Sequence, residues 1–358
     1  MIEERFEQIP RRAYLSQEEF EQDFLLERKP VILTNLFQDQ PIQKLANIES
    51  VRRQLGEIPL MVSEGIRHYH LAQTNASFEP ARSLMLGDYL DFIDQEPETA
   101  LLCSENALPD EIQMLFTIPK YCQFGDRDDL TTRLFLGNAG NYAHLHFDGD
   151  FRQVLFYQVC GSKRIVIIPA NAAPKLVPNQ HWSMVCLEHL SEAEKDAFIA
   201  YAGGVQCILN PGEALFFPAA AWHYVEYLTT GMSIAIRFGR NRYTRFLGEK
   251  CHLDSKLQRI ASQMIDEQTV QEQYSKEYEV IQQAFYQPAQ SVREKVRQMS
   301  TAYDHVWKVI AEPVESIYQI SIPDQLAQTT LEIQAQRRYG NIIQPIPQFG
   351  GWGWASAN

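Results

Sequence analysis

Hydrophobic positions fall into three textures along the chain. Up to about residue 130, helical and strand patterns alternate. Phe20, Phe24 and Leu25 recur at helical spacing after Ser16, and Glu19 completes a capping-box pattern with Ser16. Residues 16–29 are therefore predicted as a helix that Pro30 ends, followed by a strand over 31–37. Residues 41–56 and 83–94 read as helices, and 59–64 and 67–73 as strands. From 131 to 242 the pattern changes to short apolar runs separated by turn residues. Strands are predicted at 131–138, 142–148, 153–161, 163–169, 205–212, 214–218, 223–228 and 232–238. Such spacing indicates a closed or double-sheet β structure. One helix interrupts it at 189–204, with Ser191 as N-cap and Gly203 past its end. Residues 243–340 read as polar amphipathic helices, and 341–358 as an irregular tail rich in Gly, Pro and Trp.

Composition narrows the class. A chain of 358 residues with 45% hydrophobic content can bury a large core. Its net charge of −13 argues against coating nucleic acid, which needs concentrated Lys and Arg. The six cysteines are scattered, with no C-x-x-C pair, as in a reducing compartment. The N-terminus lacks a signal-type apolar core, and no stretch approaches membrane-spanning length. A cytoplasmic protein with no membrane contact is expected.

The segment HLHFDGDF, 144–151, stands out in this apolar region, because buried ionisable groups need a partner or a metal. On a strand His146 and Asp148 share a face, about 7 Å apart along the chain. A third ligand is expected from His223, delivered by the Pro-Ala-Ala-Ala bend at 218–221. Two histidines and one aspartate form the facial set that suits non-heme Fe(II) and leaves coordination positions open. His144 falls on the same face if the strand is regular, and a structural or substrate-side role is preferred for it, since the facial set must stay open.

Five blocks carry a family resemblance over residues 8–240: residues 9–36, 67–73, 140–148, 158–169 and 211–226. Gly140-Asn141 precede the ligand pair, Gln158, Gly161, Lys163 and Arg164 follow a Q-x-x-G-x-K-R pattern, and the last block has the form P-G-x-x-L-x-x-P-x-x-x-W-H. Together they resemble the cupin-like JmjC group of Fe(II)/2-oxoglutarate oxygenases. The nearest likeness is to small hydroxylases such as the asparaginyl hydroxylase that inhibits hypoxia-inducible factor. The resemblance implies a mainly β, double-stranded β-helix (jelly-roll) over 131–242. Elements at 1–130 would flank this barrel.

It also implies a site. His146, Asp148 and His223 would bind Fe(II), and Lys163 would pair with the distal carboxylate of 2-oxoglutarate. The family tyrosine that bonds the co-substrate falls on Tyr69 or His70, and the asparagine of the last strand maps to Arg237, which either contacts a carboxylate or points outward. Departures are visible: Ala143 stands where the family has threonine, and the link from His146 to Gly161 is two residues longer, so 149–153 is expected to bulge. The implied reaction is hydroxylation of a protein or peptide side chain. Alternatives are a small-molecule hydroxylase, another metal-dependent cupin enzyme, and a non-catalytic cupin binding module. For the C-terminal helices three roles stay open: homodimerisation, capping one barrel end, and docking substrate.

Overall fold

The computed structural model describes residues 9–64, 81–123, 130–179, 182–183 and 185–240, and short stretches within 283–301. The predicted strand at 67–73, and almost all of the regions 243–340 and 341–358, lie outside the described residues.

Ser16 caps the first helix as expected: its side chain accepts from Glu19 N–H while Glu19 reaches back to the Ser16 N–H. Only Gln17–Glu19 (α1) are α-helical; Phe20–Leu25 continue as a π-helix that buries Phe20 and Phe24. Strands β1 (Arg11–Arg12), β2 (Val31–Leu33), β3 (Pro59–Glu64), β4 (Arg82–Met85) and β5 (Leu101–Ala107) alternate with helices α2 (Ile48–Leu55), α3 (Leu86–Gln95) and α4 (Asp110–Gln113). The stretch 83–94, predicted as one helix, divides. Residues 82–85 pair with β3 as an antiparallel strand, and the helix begins at Leu86. The pattern 41–56 likewise splits into a 3₁₀ turn, Pro41–Leu45, and α2.

The barrel follows the predicted strand series closely. It comprises β6 (Thr131–Gly137), β7 (Tyr142–His146), β8 (Gln153–Cys160), β9 (Lys163–Ile168), the two-residue strands β10 (Pro178–Asn179) and β11 (Trp182–Ser183), β12 (Val205–Leu209), β13 (Ala214–Phe217), β14 (Trp222–Tyr227) and β15 (Gly231–Phe238). Helix α5 (Glu192–Ala202) has Ser191 as its capping-box residue and Gly203 in the left-handed conformation, both as predicted.

Two sheets form, in the orders β1-β2-β13-β8-β15-β6-β5-β3-β4 and β10-β11-β7-β14-β9-β12. The chain crosses between them at most steps: β6, β8, β13 and β15 lie in the first sheet, β7, β14 and the consecutive β9–β12 in the second. This is a jelly-roll, mainly β, as expected. Alternation sorts the side chains. Val154 and Phe156 of β8, with Ile165 and Ile167 of β9, pack between the sheets. Leu155 and Tyr157 point outward under the N-terminal elements, and Val166 and Ile168 outward under α5. Both faces of each central strand are thus covered, which is why these strands read as unbroken apolar runs. Trp222 is 1% exposed and meets Phe147 edge-on at 4.9 Å. Burying an indole of this size contributes about 4–6 kcal/mol. No helix among the described residues is long and apolar enough to cross a membrane.

Candidate metal centre

His146 ends β7, Asp148 follows it, and His223 lies directly opposite His146 on β14. The Nε2 atoms of both histidines lie 3.9 Å from Asp148 Oδ1, and one donor atom of each residue falls within 4.8 Å of the others. The expected three residues are therefore brought together. Each ring is oriented through its far nitrogen: His146 Nδ1 is 2.6 Å from the His144 carbonyl, and His223 Nδ1 is 3.1 Å from the Ala221 carbonyl. A carbonyl only accepts, so Nδ1 carries the proton and each neutral ring presents its Nε2 lone pair to the cavity. Burial pushes the His223 pKa down, against the pull of Asp148, which favours that neutral form. Two donors on one ion at about 2.1 Å each can be no more than about 4.2 Å apart. The 3.9 Å separations from Asp148 meet that limit, and the donor set fits a divalent transition metal.

Lys163 opens β9 in the same cavity. The Gly161 turn that delivers it has φ +69°, and a side chain there would collide with the Thr230 carbonyl. Lys163 is 1% exposed; its Nζ lies 3.8 Å from the Tyr227 ring centroid and 4.8 Å from that of Phe156. Among the described residues it has neither a hydrogen bond nor a carboxylate partner. Burial lowers its pKa well below the ordinary lysine value. Burial of this kind disfavours the ammonium form, and a neighbouring anion favours it. Arg237 lines the same cavity rather than pointing outward. It donates to Glu105 Oε2 at 2.9 Å, and its Nη2 stands 3.6 Å from Asp148 Oδ1. Tyr69 and His70 lie outside the described residues.

Residues 16–238 match the Cupin-like domain family. The chain belongs to that family. Its relatives include lysine-specific demethylase 8 of Xenopus tropicalis, 26% identical over 63% of this chain and 52% of that protein. Lysine-specific demethylase JMJ30 of Arabidopsis thaliana is also 26% identical, over 63% of this chain and 54% of its own length. JmjC domain-containing protein 8 of Rattus norvegicus is 25% identical over 67% and 85% respectively. The cupin-like chain spans about half the length of the two demethylases. The JmjC names agree with the resemblance read from the five blocks; the narrower likeness to the asparaginyl hydroxylase rests on those blocks alone.

The cupin-like barrel corrects one expectation, that His144 shares the face of His146. Between His223 and Val225 of β14 the register passes from His146 to Ala143, so β7 holds one residue more than its partner. This bulge turns Ala143 into the cavity and His144 behind it. His144 is fully buried there, with Nδ1 3.1 Å from Glu188 Oε1 and Nε2 2.6 Å from the Ser183 carbonyl. Burial alone would push its pKa down, but the Glu188 carboxylate and the Ser183 carbonyl outweigh that and raise it. Both neighbours are acceptors, so the ring is an imidazolium with no lone pair to give. Beside Cys186, which also lies within reach, His144 and Glu188 thereby form a buried ion pair. Asp150 and Arg152 pair with each other at 3.0 Å and do not line the cavity.

The cupin-like site also contains a residue the sequence did not single out. Glu105 sits at an irregularity of β5, between Cys103 and Asn106, in a left-handed conformation (φ +58°). That backbone aims its carboxylate at Arg237. Its only local signal is an acid within an apolar strand, and its partner lies 132 residues away.

Proposed function

We propose that this chain is an Fe(II)- and 2-oxoglutarate-dependent oxygenase that hydroxylates a protein or peptide side chain. One observation carries the reading: a two-histidine, one-carboxylate set shares an apolar cavity with the buried Lys163, which among the described residues has no carboxylate partner. His146, Asp148 and His223 would hold the iron, and Lys163 the distal carboxylate of the oxo-acid. When bound, these two would activate dioxygen, which oxidises 2-oxoglutarate to succinate and carbon dioxide with one oxygen atom and hydroxylates a substrate C–H with the other.

The protein's share is orientation and exclusion of water. The two backbone carbonyls fix the imidazole tautomers. Phe135, Phe156, Ile165 and Phe217 wall the cavity with apolar surface, which strengthens the charge pairing at Lys163. Arg237, held by Glu105, keeps a cation beside the Asp148 carboxylate. A second reading, not among those the sequence suggested, is N-demethylation, and the demethylase names of two relatives favour it. It begins with the same C–H oxidation and differs in releasing formaldehyde.

Purified protein with Fe(II), 2-oxoglutarate and ascorbate is expected to form succinate, and Asp148→Ala to abolish both succinate formation and metal binding. Equal metal affinity in wild type and Asp148→Ala would instead identify an inert binding module. A +16 Da product in a treated cell extract marks hydroxylation; formaldehyde marks demethylation.

A further inference from the structure

The bend that carries His223 is held from outside. Between β13 and β14, the peptide groups of Ala219 are both occupied by side chains from distant segments. The Ala219 N–H donates to Gln153 Oε1 at 2.9 Å, and its carbonyl accepts from the Arg28 guanidinium. The next residue, Ala220, is left-handed (φ +58°), a conformation alanine disfavours. The bend closes by Ala221 N–H to the Pro218 carbonyl at 3.1 Å, and the Ala221 carbonyl then receives the His223 Nδ1 proton. Hydrogen bonds from Gln153 and Arg28 thus hold one end of a bend whose other end receives the imidazole, the backbone of 219–221 joining the two.

Gln153 begins β8, directly after the 149–152 link that follows Asp148. That link is itself fixed, by Phe151 N–H to the Asp148 carbonyl at 3.1 Å with Phe151 at φ +56°. One side chain therefore ties the segment bearing Asp148 to the segment bearing His223. Among the described residues five non-glycines have positive φ: Arg28, Glu105, Phe151, Val177 and Ala220. Three of the five belong to this assembly, and strain of this kind persists where surrounding contacts over-determine it.

We infer that Gln153 and Arg28 are positioning residues of the metal centre, setting His223 Nε2 opposite Asp148. The inference rests on the assignment of His146, Asp148 and His223 as ligands. The competing account is a loop clamp that adds only stability, and metal affinity separates the two.

The full chain, stripped by chelator, is titrated with Co(II), followed by calorimetry and by visible d–d absorption. Wild type binds with an Asp148-dependent spectrum. Gln153→Met, which keeps length but loses the acceptor, weakens Co(II) about tenfold and alters the d–d bands. Gln153→Glu, which keeps an acceptor, restores most of the affinity and the wild-type band shape. A Gln153→Met variant that melts earlier without metal yet binds Co(II) with wild-type affinity and spectrum overturns the inference. Should Gln153→Met not fold, Arg28→Met reads the same bend from its other side, and unchanged affinity there overturns the inference equally. Absence of Asp148-dependent Co(II) binding in wild type removes the ligand assignment itself, and the inference with it.

Discussion

Lys163 shows how function and stability oppose each other at one residue. A buried amine without an anion destabilises the ligand-free chain, while its pairing with a carboxylate supports binding. Lys163→Met is therefore expected to raise the melting temperature of the ligand-free protein. The same change weakens 2-oxoglutarate by about 1.5–3 kcal/mol, roughly 10- to 150-fold in Kd, with metal binding retained. The pKa gives a sign as well. Above its depressed value Lys163 is neutral and must take up a proton to pair. Affinity in wild type thus falls as pH rises, by up to about tenfold per unit, and the Lys163→Met profile is flat over that range. Calorimetry of 2-oxoglutarate across pH checks both. At this scale the sequence was partly legible. His146 and Asp148 were readable because a strand repeats every two residues, and Lys163 only through the family resemblance of the Q-x-x-G-x-K-R block. Glu105, Gln153 and Arg28 were not, since each acts through a partner more than sixty residues away.

Elements depart from their predicted form where tertiary contacts outweigh local pattern. The strand 82–85 looked helical because Leu84 and Leu86 extend the apolar stripe of α3, but pairing with β3 satisfies its backbone instead. The first helix widens to a π-helix where Phe20 stacks on Tyr121 at 4.4 Å and meets Phe216 at 4.8 Å. The turn that carries the chain from β8 to β9 is the element with the least tolerance. Gly161 and Gly231 approach across it, and a Cβ on either would strike the facing backbone. Gly161→Ala adds positive-φ strain to that collision and is expected to destabilise by about 2–3 kcal/mol, measured by denaturant unfolding. Because Lys163 follows at once, 2-oxoglutarate affinity falls in the same variant more than Co(II) affinity does.

For the whole molecule, the jelly-roll layers divide labour. The space between the sheets serves the cavity, and the outer faces serve stability, one under the N-terminal elements and one under α5. The fold was legible because covering both faces of a strand leaves a signature of continuous apolar runs. The 144–188 ion pair sits in the α5-side layer and ties the segment before α5 to β7. Its effect is global. The folded pKa of His144 is raised, so its stabilisation is fully present below the unfolded value near 6.5 and is lost as pH rises through the folded value. Glu188→Gln leaves the buried ring uncompensated, costs about 3 kcal/mol at pH 6, and flattens that decline in urea midpoints above pH 6.5.

The extra residue in β7 sets the parity of everything after it. Two histidines two positions apart end back to back, one ring turned to chemistry and the other to ballast, separated by the thickness of a single backbone. A chain with the same letters and one residue fewer in that strand would aim the wrong ring inward. Searching other cupins of this shape for a histidine, any residue and an aspartate is thus an exercise in counting paired positions from the facing strand, because the letters alone do not say which side they are on.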